Sequence, residues 1–247
     1  MRKAMLIAGG SRGIGAAVAR LAGARGYDVA IGYRGQRERA EAVATEVIAG
    51  GGRGVAIQAD VRDPHEVERL FSEAQQALGG LDAVVISAGI TGRASALADT
   101  TADVLQETID INVVGALLCA REAVRRMARS RGGRGGGIVT LSSGAATLGS
   151  PGEFVWYAAS KGAVDSMTIG LAKEVASEGI RVNTVRPGLM STDFGPWAPQ
   201  GRNERLRPGI PMGRAGEPHE MASAIVWLAS DAASYVTGAF IDVGGGR

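Results

Sequence analysis

Ala4-Met5-Leu6-Ile7-Ala8-Gly9-Gly10-Ser11-Arg12-Gly13-Ile14-Gly15 passes from an apolar run straight into a glycine-rich turn. The run 4–8 reads as a buried strand. An Ala- and Val-rich stretch of helical composition follows, to about residue 25. Strand, glycine turn and helix, in that order, make a place for a phosphate. Glycines let the backbone turn tightly and approach a pyrophosphate. The helix N-terminus adds free amides and the positive end of a dipole. The spacing here is Gly-x-x-x-Gly-x-Gly, and a glycine run alone is also an ordinary turn. The flanking strand and helix give it meaning.

Working outward, apolar runs alternate with helical patterns along the whole chain. Strands are expected at 4–8, 28–33, 55–59, 83–87, 137–141, 181–185 and 240–243. Helices are expected at 15–25, 36–49, 64–78, 101–129, 157–177 and 218–229. Strands separated by helices imply parallel βαβ units with right-handed crossovers. Continuous apolar strands imply a sheet covered on both faces. The predicted fold class is therefore α/β, a doubly wound, seven-stranded parallel sheet with helices on both faces. The 247 residues fit one such domain, 1–247, with no linker and no internal repeat. The proline-rich stretch 188–216 is a long loop beyond a strand end, where such folds bind substrates.

Composition narrows the function. The chain is 45% hydrophobic with 38 glycines, enough for a sizeable core with many turns. A net charge of +2 gives no electrostatic case for nucleic acid. The Arg-rich stretch 129–137 reads as a solvated loop. No run approaches ~18 apolar residues, so no membrane span is expected. Met1-Arg2-Lys3 leads directly into a strand, so no cleavable signal is expected. One cysteine, Cys119, excludes an internal disulfide framework and fits a reducing, cytoplasmic location. His65 and His219 stand apart from any cysteine or carboxylate cluster, so no metal site is expected.

Tyr157-Ala158-Ala159-Ser160-Lys161 carries the clearest chemistry. A spacing of four on a helix puts both side chains on one face. An ammonium beside a phenol favours the phenolate and lowers the tyrosine from its reference near ~10. Such a tyrosine exchanges protons with a substrate hydroxyl or carbonyl near neutral pH.

With these pieces in place the chain resembles the short-chain dehydrogenase/reductase family, from Met5 to Gly246. The other matching pieces are Asp60-Val61, Ser87-Ala88-Gly89, Asn112, Leu141-Ser142-Ser143 and Pro187-Gly188-Leu189-Met190-Ser191-Thr192. Towards the end come Trp227-Leu228-Ala229-Ser230-Asp231, Thr237-Gly238 and Val243-Gly244-Gly245-Gly246. The resemblance implies a Rossmann fold and hydride transfer between a nicotinamide and a carbonyl or secondary alcohol. It implies Tyr157 as general acid or base, with Lys161 lowering its pKa and bonding the nicotinamide ribose. Ser143 would polarise the carbonyl, and Asn112 would anchor a relay water behind Lys161. Ser142 is the neighbouring alternative. Ser143 stands fourteen residues before Tyr157, one more than the commoner spacing, and 149–153 looks like the compensating extra residue. Adjacent residues at a strand end point oppositely, so Ser142 should face away.

The same resemblance implies the cofactor site. Gly9, Ser11, Arg12, Gly13, Ile14 and Gly15 would hold the phosphates. Asp60 and Val61 would lie by the adenine, and Ser87, Ala88 and Gly89 by its ribose. Pro187, Gly188 and Thr192 would line the carboxamide, with Tyr157 and Lys161 also at the cofactor. No acid closes the second strand in Gly32-Tyr33-Arg34-Gly35. Arg34 and Arg12 would instead flank a 2′-phosphate, so NADP (NADPH) is expected. The family's Thr and Asn positions hold Ala8 and Ser87 here, and the Ser87 hydroxyl is expected to replace the contact that Ala8 cannot make. A homotetramer is expected from the resemblance and from wide apolar faces. Those faces carry Val113, Val114, Leu117, Leu118 and Val124 on one helix, and Val164, Met167, Ile169 and Leu171 on the other.

Other readings differ at named residues. Gly9-Gly10-Ser11-Arg12-Gly13 satisfies the Gly-x-Ser-x-Gly of serine hydrolases, with His219 as partner, but leaves Tyr157 and Lys161 unused. A non-catalytic NADP-binding sensor would keep the fold without the chemistry. Epimerases and dehydratases share Tyr-x-x-x-Lys but are usually longer. The substrate is left open between acyl thioesters, sugars or polyols, and other ketones. The loop holds Trp197 and a basic cluster, Arg202, Arg205 and Arg207, which would meet an anionic substrate or be solvated.

Overall fold

The structure, a computed structural model, describes residues 2–192 and 201–247. Seven strands form one parallel sheet: β1 Lys3–Ala8, β2 Tyr27–Tyr33, β3 Gly54–Gln58, β4 Ala83–Ile86, β5 Gly136–Leu141, β6 Ile180–Pro187 and β7 Phe240–Val243. Their spatial order is β3-β2-β1-β4-β5-β6-β7, and every pairing is parallel. The chain therefore leaves β1 in one direction for β2 and in the other for β4. That reversal opens a crevice at the carboxyl ends of β1 and β4.

The strands are mostly apolar because both faces are covered. On β1, Ala4, Leu6 and Ala8 enter one core, while Met5 and Ile7 enter the other. The first core is closed by α3 (Pro64–Leu78), α5 (Gly115–Met127) and α7 (Val155–Val175). The second is closed by α1 (Gly13–Ala24), α2 (Arg37–Ala49) and α9 (Pro218–Ala229). Burying a Leu- or Ile-sized side chain contributes about 1.5–3 kcal/mol.

Helix starts follow local chemistry. Asp63 caps α3, accepting from the amides of His65 at 2.8 Å and Glu66 at 3.3 Å, with Pro64 in the first turn. Glu217 and Glu220 form a capping box at α9.

The expected helix 101–129 is a helical path with an interruption. α4 (Ala102–Ile109) is followed by one π-helical turn, Asp110–Val114, before α5. Two short helices were not expected, α6 (Ala145–Leu148) and α8 (Arg202–Leu206). Trp197 lies outside the described residues. On the proposed apolar faces, Val164 is buried, and Leu118, Val124, Met167 and Leu171 are partly buried against the core. Val114, Leu117 and Ile169 stay exposed. No helix among the described residues is long and apolar enough to cross a membrane.

The expected Ala8–Ser87 exchange takes a different form. Backbone joins the two strands, with the Ser87 amide donating to the Ala8 carbonyl at 2.9 Å. The Ser87 hydroxyl makes no hydrogen bond among the described residues. The parallel register supplies the contact without a side chain.

Candidate active site

The crevice widens into a cleft of ≈ 1080 Å³ above the strand ends. Its floor is built by α7. Three hydroxyls seat that helix on the sheet: Thr168 of α7 meets Thr184 of β6 at 2.6 Å and Thr140 of β5 at 3.1 Å. Trp156 and Phe154 pack edge to face at the start of α7, and the Trp156 indole donates to the Thr91 carbonyl at 2.8 Å. Tyr157 is thus fixed in the cleft wall, 8% exposed.

Tyr157 and Ser143 are hydrogen-bonded. Ser143 is half-buried just beyond β5, and its Oγ also accepts from the Ala145 amide at 3.1 Å. Ser142 faces the other way, as strand geometry requires, and donates to the Lys161 carbonyl at 3.1 Å. Lys161 is buried, with Nζ 2.7 Å from the Leu141 carbonyl and 5.7 Å from the Tyr157 ring centre. Burial pulls this ammonium down to about 8, against the upward pull of Asp165.

The phenol behaves otherwise than its spacing from Lys161 suggests. Burial raises the Tyr157 pKa, outweighing the Ser143 hydrogen bond and the Arg202 charge, which lower it. Lys161 gives one of its three N–H donors to the Leu141 carbonyl and is itself weakened as a cation by burial. The phenol is held neutral and ready to donate.

Asn112 sits in the π turn, where the extra residue turns its amide inward. Its Nδ2 donates to the Ile90 carbonyl at 2.8 Å and to Ser160 Oγ at 3.0 Å, and its Oδ1 accepts from the Ile90 amide at 2.8 Å. Asn112 therefore ties α4–α5 to the end of β4. A Cβ on Gly89 would lie 3.2 Å from Asn112 Oδ1 and 3.4 Å from Lys161 Nζ, so the three groups adjoin.

The other end of the cleft fits a dinucleotide. The amides of Gly9 and Gly10 donate to the Gly32 carbonyl at 3.0 and 2.9 Å, locking the loop to β2. Gly9 has φ +90, and a Cβ there would meet the Ala88 amide nitrogen at 2.6 Å. A Cβ on Gly15 would strike the Gly9 carbonyl oxygen at 2.1 Å. The loop is consequently flat, and the first amides of α1 have no intrahelical acceptor. Ser11, Arg12, Gly13, Ile14, Arg34, Asp60, Val61, Ser87, Ala88, Gly89, Pro187, Gly188 and Thr192 all line the same cleft. Arg12 and Arg34 are exposed at its rim. Arg34 pairs distantly with Glu107 at 3.9 Å, and its charge also reaches Asp60. Asp60 is gripped by Arg62, whose hydrogen bonds hold its carboxyl below the usual range.

Two expectations change. His219 lies outside the cleft that Ser11 lines, so the serine–histidine pairing has no geometric support. The basic cluster is neither free nor simply solvated. Arg202 Nε donates to Glu153 Oε2 at 2.9 Å, Arg205 bonds the same carboxylate, and Arg207 donates to the Gly213 carbonyl at 2.7 Å. Phe154, Thr147 and Leu148 line the cleft and were not singled out in the sequence, and Glu153, read there only as part of the loop 149–153, lines it too. The aromatic pair just before Tyr157 was the available signal for Phe154. Among the described residues no cluster of His, Cys, Asp and Glu is arranged to hold a metal.

Comparison with known proteins agrees with this geometry. A family model described as enoyl-(acyl carrier protein) reductase matches residues 8–247. The uncharacterized oxidoreductase YgfF of Escherichia coli (strain K12) is 47% identical over 243 residues, 98% of this chain and 98% of that protein. The 3-oxoacyl-[acyl-carrier-protein] reductase FabG of Staphylococcus aureus (strain Mu50 / ATCC 700699) is 39% identical over 246 residues, 100% of this chain and 98% of that protein. Among solved structures, a short-chain dehydrogenase/reductase from Serratia marcescens superposes with a TM-score of 0.91 at 33% identity, covering 99% of this chain and 97% of that one. A blue fluorescent protein from a metagenomic library, solved in complex with NADPH, gives 0.90 at 36% identity, with 99% and 97% covered.

Proposed function

The chain belongs to the short-chain dehydrogenase/reductase family of NAD(P)-dependent oxidoreductases, and from that premise we propose that it interconverts a carbonyl and a secondary alcohol with NADP. The observation that carries this reading is the hydrogen-bonded Tyr157–Ser143 pair in the wall of the cleft. Two hydroxyls side by side form a donor pair for one carbonyl oxygen, which gains charge as reduction proceeds. Tyr157 gives its proton to that oxygen, and the high phenol pKa keeps the proton available at neutral pH. Ser143 holds and polarises the same oxygen. Lys161 supplies positive charge behind the phenol, and Asn112 fixes the wall that Lys161 and Gly89 share. When bound, the nicotinamide supplies or accepts the hydride.

The glycine loop would hold the cofactor's phosphates, and Arg12 and Arg34 its 2′-phosphate. Two exposed guanidiniums at the rim and no acid at the end of β2 favour NADP over NAD. Residues 1–247 act in this reading as one unit, with 188–216 as the substrate loop. Val114 at the end of the π turn, Leu117 on α5 and Ile169 on its neighbour α7, all exposed, are the surface for a homotetramer. Light scattering at the mass of one chain would contradict it. The single thiol, Cys119, is buried and pushed up to about 12, which suits a cytoplasmic protein that needs no disulfide.

The test is NADPH oxidation over a panel of acyl thioesters, ketones and sugars. At least one class should be reduced, and Tyr157→Phe should lose at least ~10²-fold in kcat while still binding NADPH. Undiminished turnover by that variant would refute the assignment.

A further inference from the structure

We propose that Arg202 makes this site selective for short oxo acids, its guanidinium holding the substrate carboxylate while Ser143 and Tyr157 hold the carbonyl. This rests on the function proposed above and narrows its substrate.

Arg202 opens α8 and lines the same cleft as Tyr157 and Ser143. Its side chain is only 22% exposed, and its guanidinium stacks on the Phe154 ring at 5.5 Å. Phe154 packs with Trp156 and Tyr157 in one cluster. The charge is therefore carried to the reacting end of the cleft, and it acts on the Tyr157 phenol.

Arg202 spends Nε on Glu153, and no acceptor among the described residues meets its two terminal nitrogens. A guanidinium fork with those nitrogens open is suited to a carboxylate. Glu153 does not cancel this charge, because Arg205 shares the same carboxylate. The cleft is also lined by Lys161, Arg186 and Arg247 against Glu204 and Asp242, so its other charges do not turn it acidic.

Distance selects the substrate. An anion within reach of both Arg202 and Tyr157 must lie a few bonds from the carbonyl. The phosphate of a pantetheine thioester is many bonds away and would not reach. In reduction the carbonyl carbon gains a hydride from the reduced nicotinamide and the oxygen gains the Tyr157 proton. The products are a hydroxy acid and the oxidised nicotinamide, and the carboxylate is unchanged.

The experiment compares kcat/KM for short 2- and 3-oxo acids with that for their methyl esters, which keep the skeleton and remove the charge. The acid should be preferred by about ten- to a hundredfold, the scale of one charge-assisted contact. Arg202→Met should erase most of that acid-to-ester ratio, and Arg202→Lys should keep part of it. Arg205→Met, which loosens the same clasp, should leave the ratio within about threefold. Calorimetry with NADP present should show the hydroxy acid losing affinity in Arg202→Met while its ester does not. Equal use of acid and ester by the wild type would overturn the proposal, as would a ratio unmoved in Arg202→Met. If neutral ketones are reduced in a Tyr157-dependent way in either case, only the substrate assignment falls. If no carbonyl of any kind is reduced, both readings fall.

Discussion

Arg186 closes both Nε and Nη2 on one oxygen of Asp165, at 3.1 and 2.8 Å, leaving Asp165 Oδ1 buried without a hydrogen bond among the described residues. Asp165 stands one helical turn beyond Lys161 on α7, and its charge pulls the Lys161 pKa upward against burial. Arg186 is itself stacked on Phe240 at 4.3 Å and lies 3.8 Å from Asp242. The carboxylate that pulls on Lys161 is thus itself paired with Arg186.

The pH dependence follows with a definite sign. Lys161 is lowered to about 8, so it is charged below that value and discharges as pH rises through it. Reductive kcat/KM should fall through the same range. Asp165→Asn removes the upward pull and should start the fall at lower pH. Arg186→Met leaves more of the Asp165 charge uncompensated and should move the fall the other way. Superimposable pH profiles for the three proteins would show that this pair does not tune Lys161.

Ser143 and Ser142 should separate cleanly. Ser143→Ala removes a donor to the developing oxyanion and should cost roughly 10²-fold in kcat, with little change in Tm. Ser142→Ala removes its bond to the Lys161 carbonyl, a loss of about 1 kcal/mol in stability, and should act on Tm first. Kinetics and thermal unfolding of the two variants side by side decide the assignment.

Arg34→Ala and Arg12→Ala should each weaken NADPH binding about tenfold and barely touch NADH. The 3.9 Å pairing of Arg34 with Glu107 is exposed and too weak to restrain it. A wild type that already prefers NADH would make both arginines ordinary surface residues.

Gly15→Ala should destabilise the protein by about 1–3 kcal/mol and weaken cofactor binding together. The added Cβ would fall 2.1 Å from the Gly9 carbonyl oxygen, which belongs to the loop expected to meet the pyrophosphate. Chemical denaturation and a cofactor titration on one variant test both halves.

The sheet was legible because its strands are buried on both faces, so β1 reads as an unbroken apolar run. α3 and α9 were legible to the residue, since Pro64 and Pro218 announce their first turns. The π turn was not, because Asp110-Ile-Asn-Val-Val114 has ordinary helical composition. Its distortion goes with bonds from Asn112 to Ile90 and Ser160, far away in sequence. The same holds for the Glu153 clasp, where that carboxylate meets arginines 49 and 52 positions later. The neutral state of Tyr157 also escaped the sequence. Spacing places an ammonium near a phenol, but only packing says how dry the phenol is.

The single π turn makes the long α4–α5 rod sensitive to length rather than composition. It holds one residue more than an α-helical turn, so deleting one residue between 110 and 114 would restore a regular helix and leave every position beyond it on its own face. A deletion at the start of α5 has no such slack and would swing the positions beyond it by about 100°. Cys119 and Ala123 would then leave the core, and exposed residues such as Arg121 would turn toward the sheet. In a deletion scan, the π turn should accordingly appear as a short tolerant window in an intolerant rod, with activity lost where Asn112 is displaced.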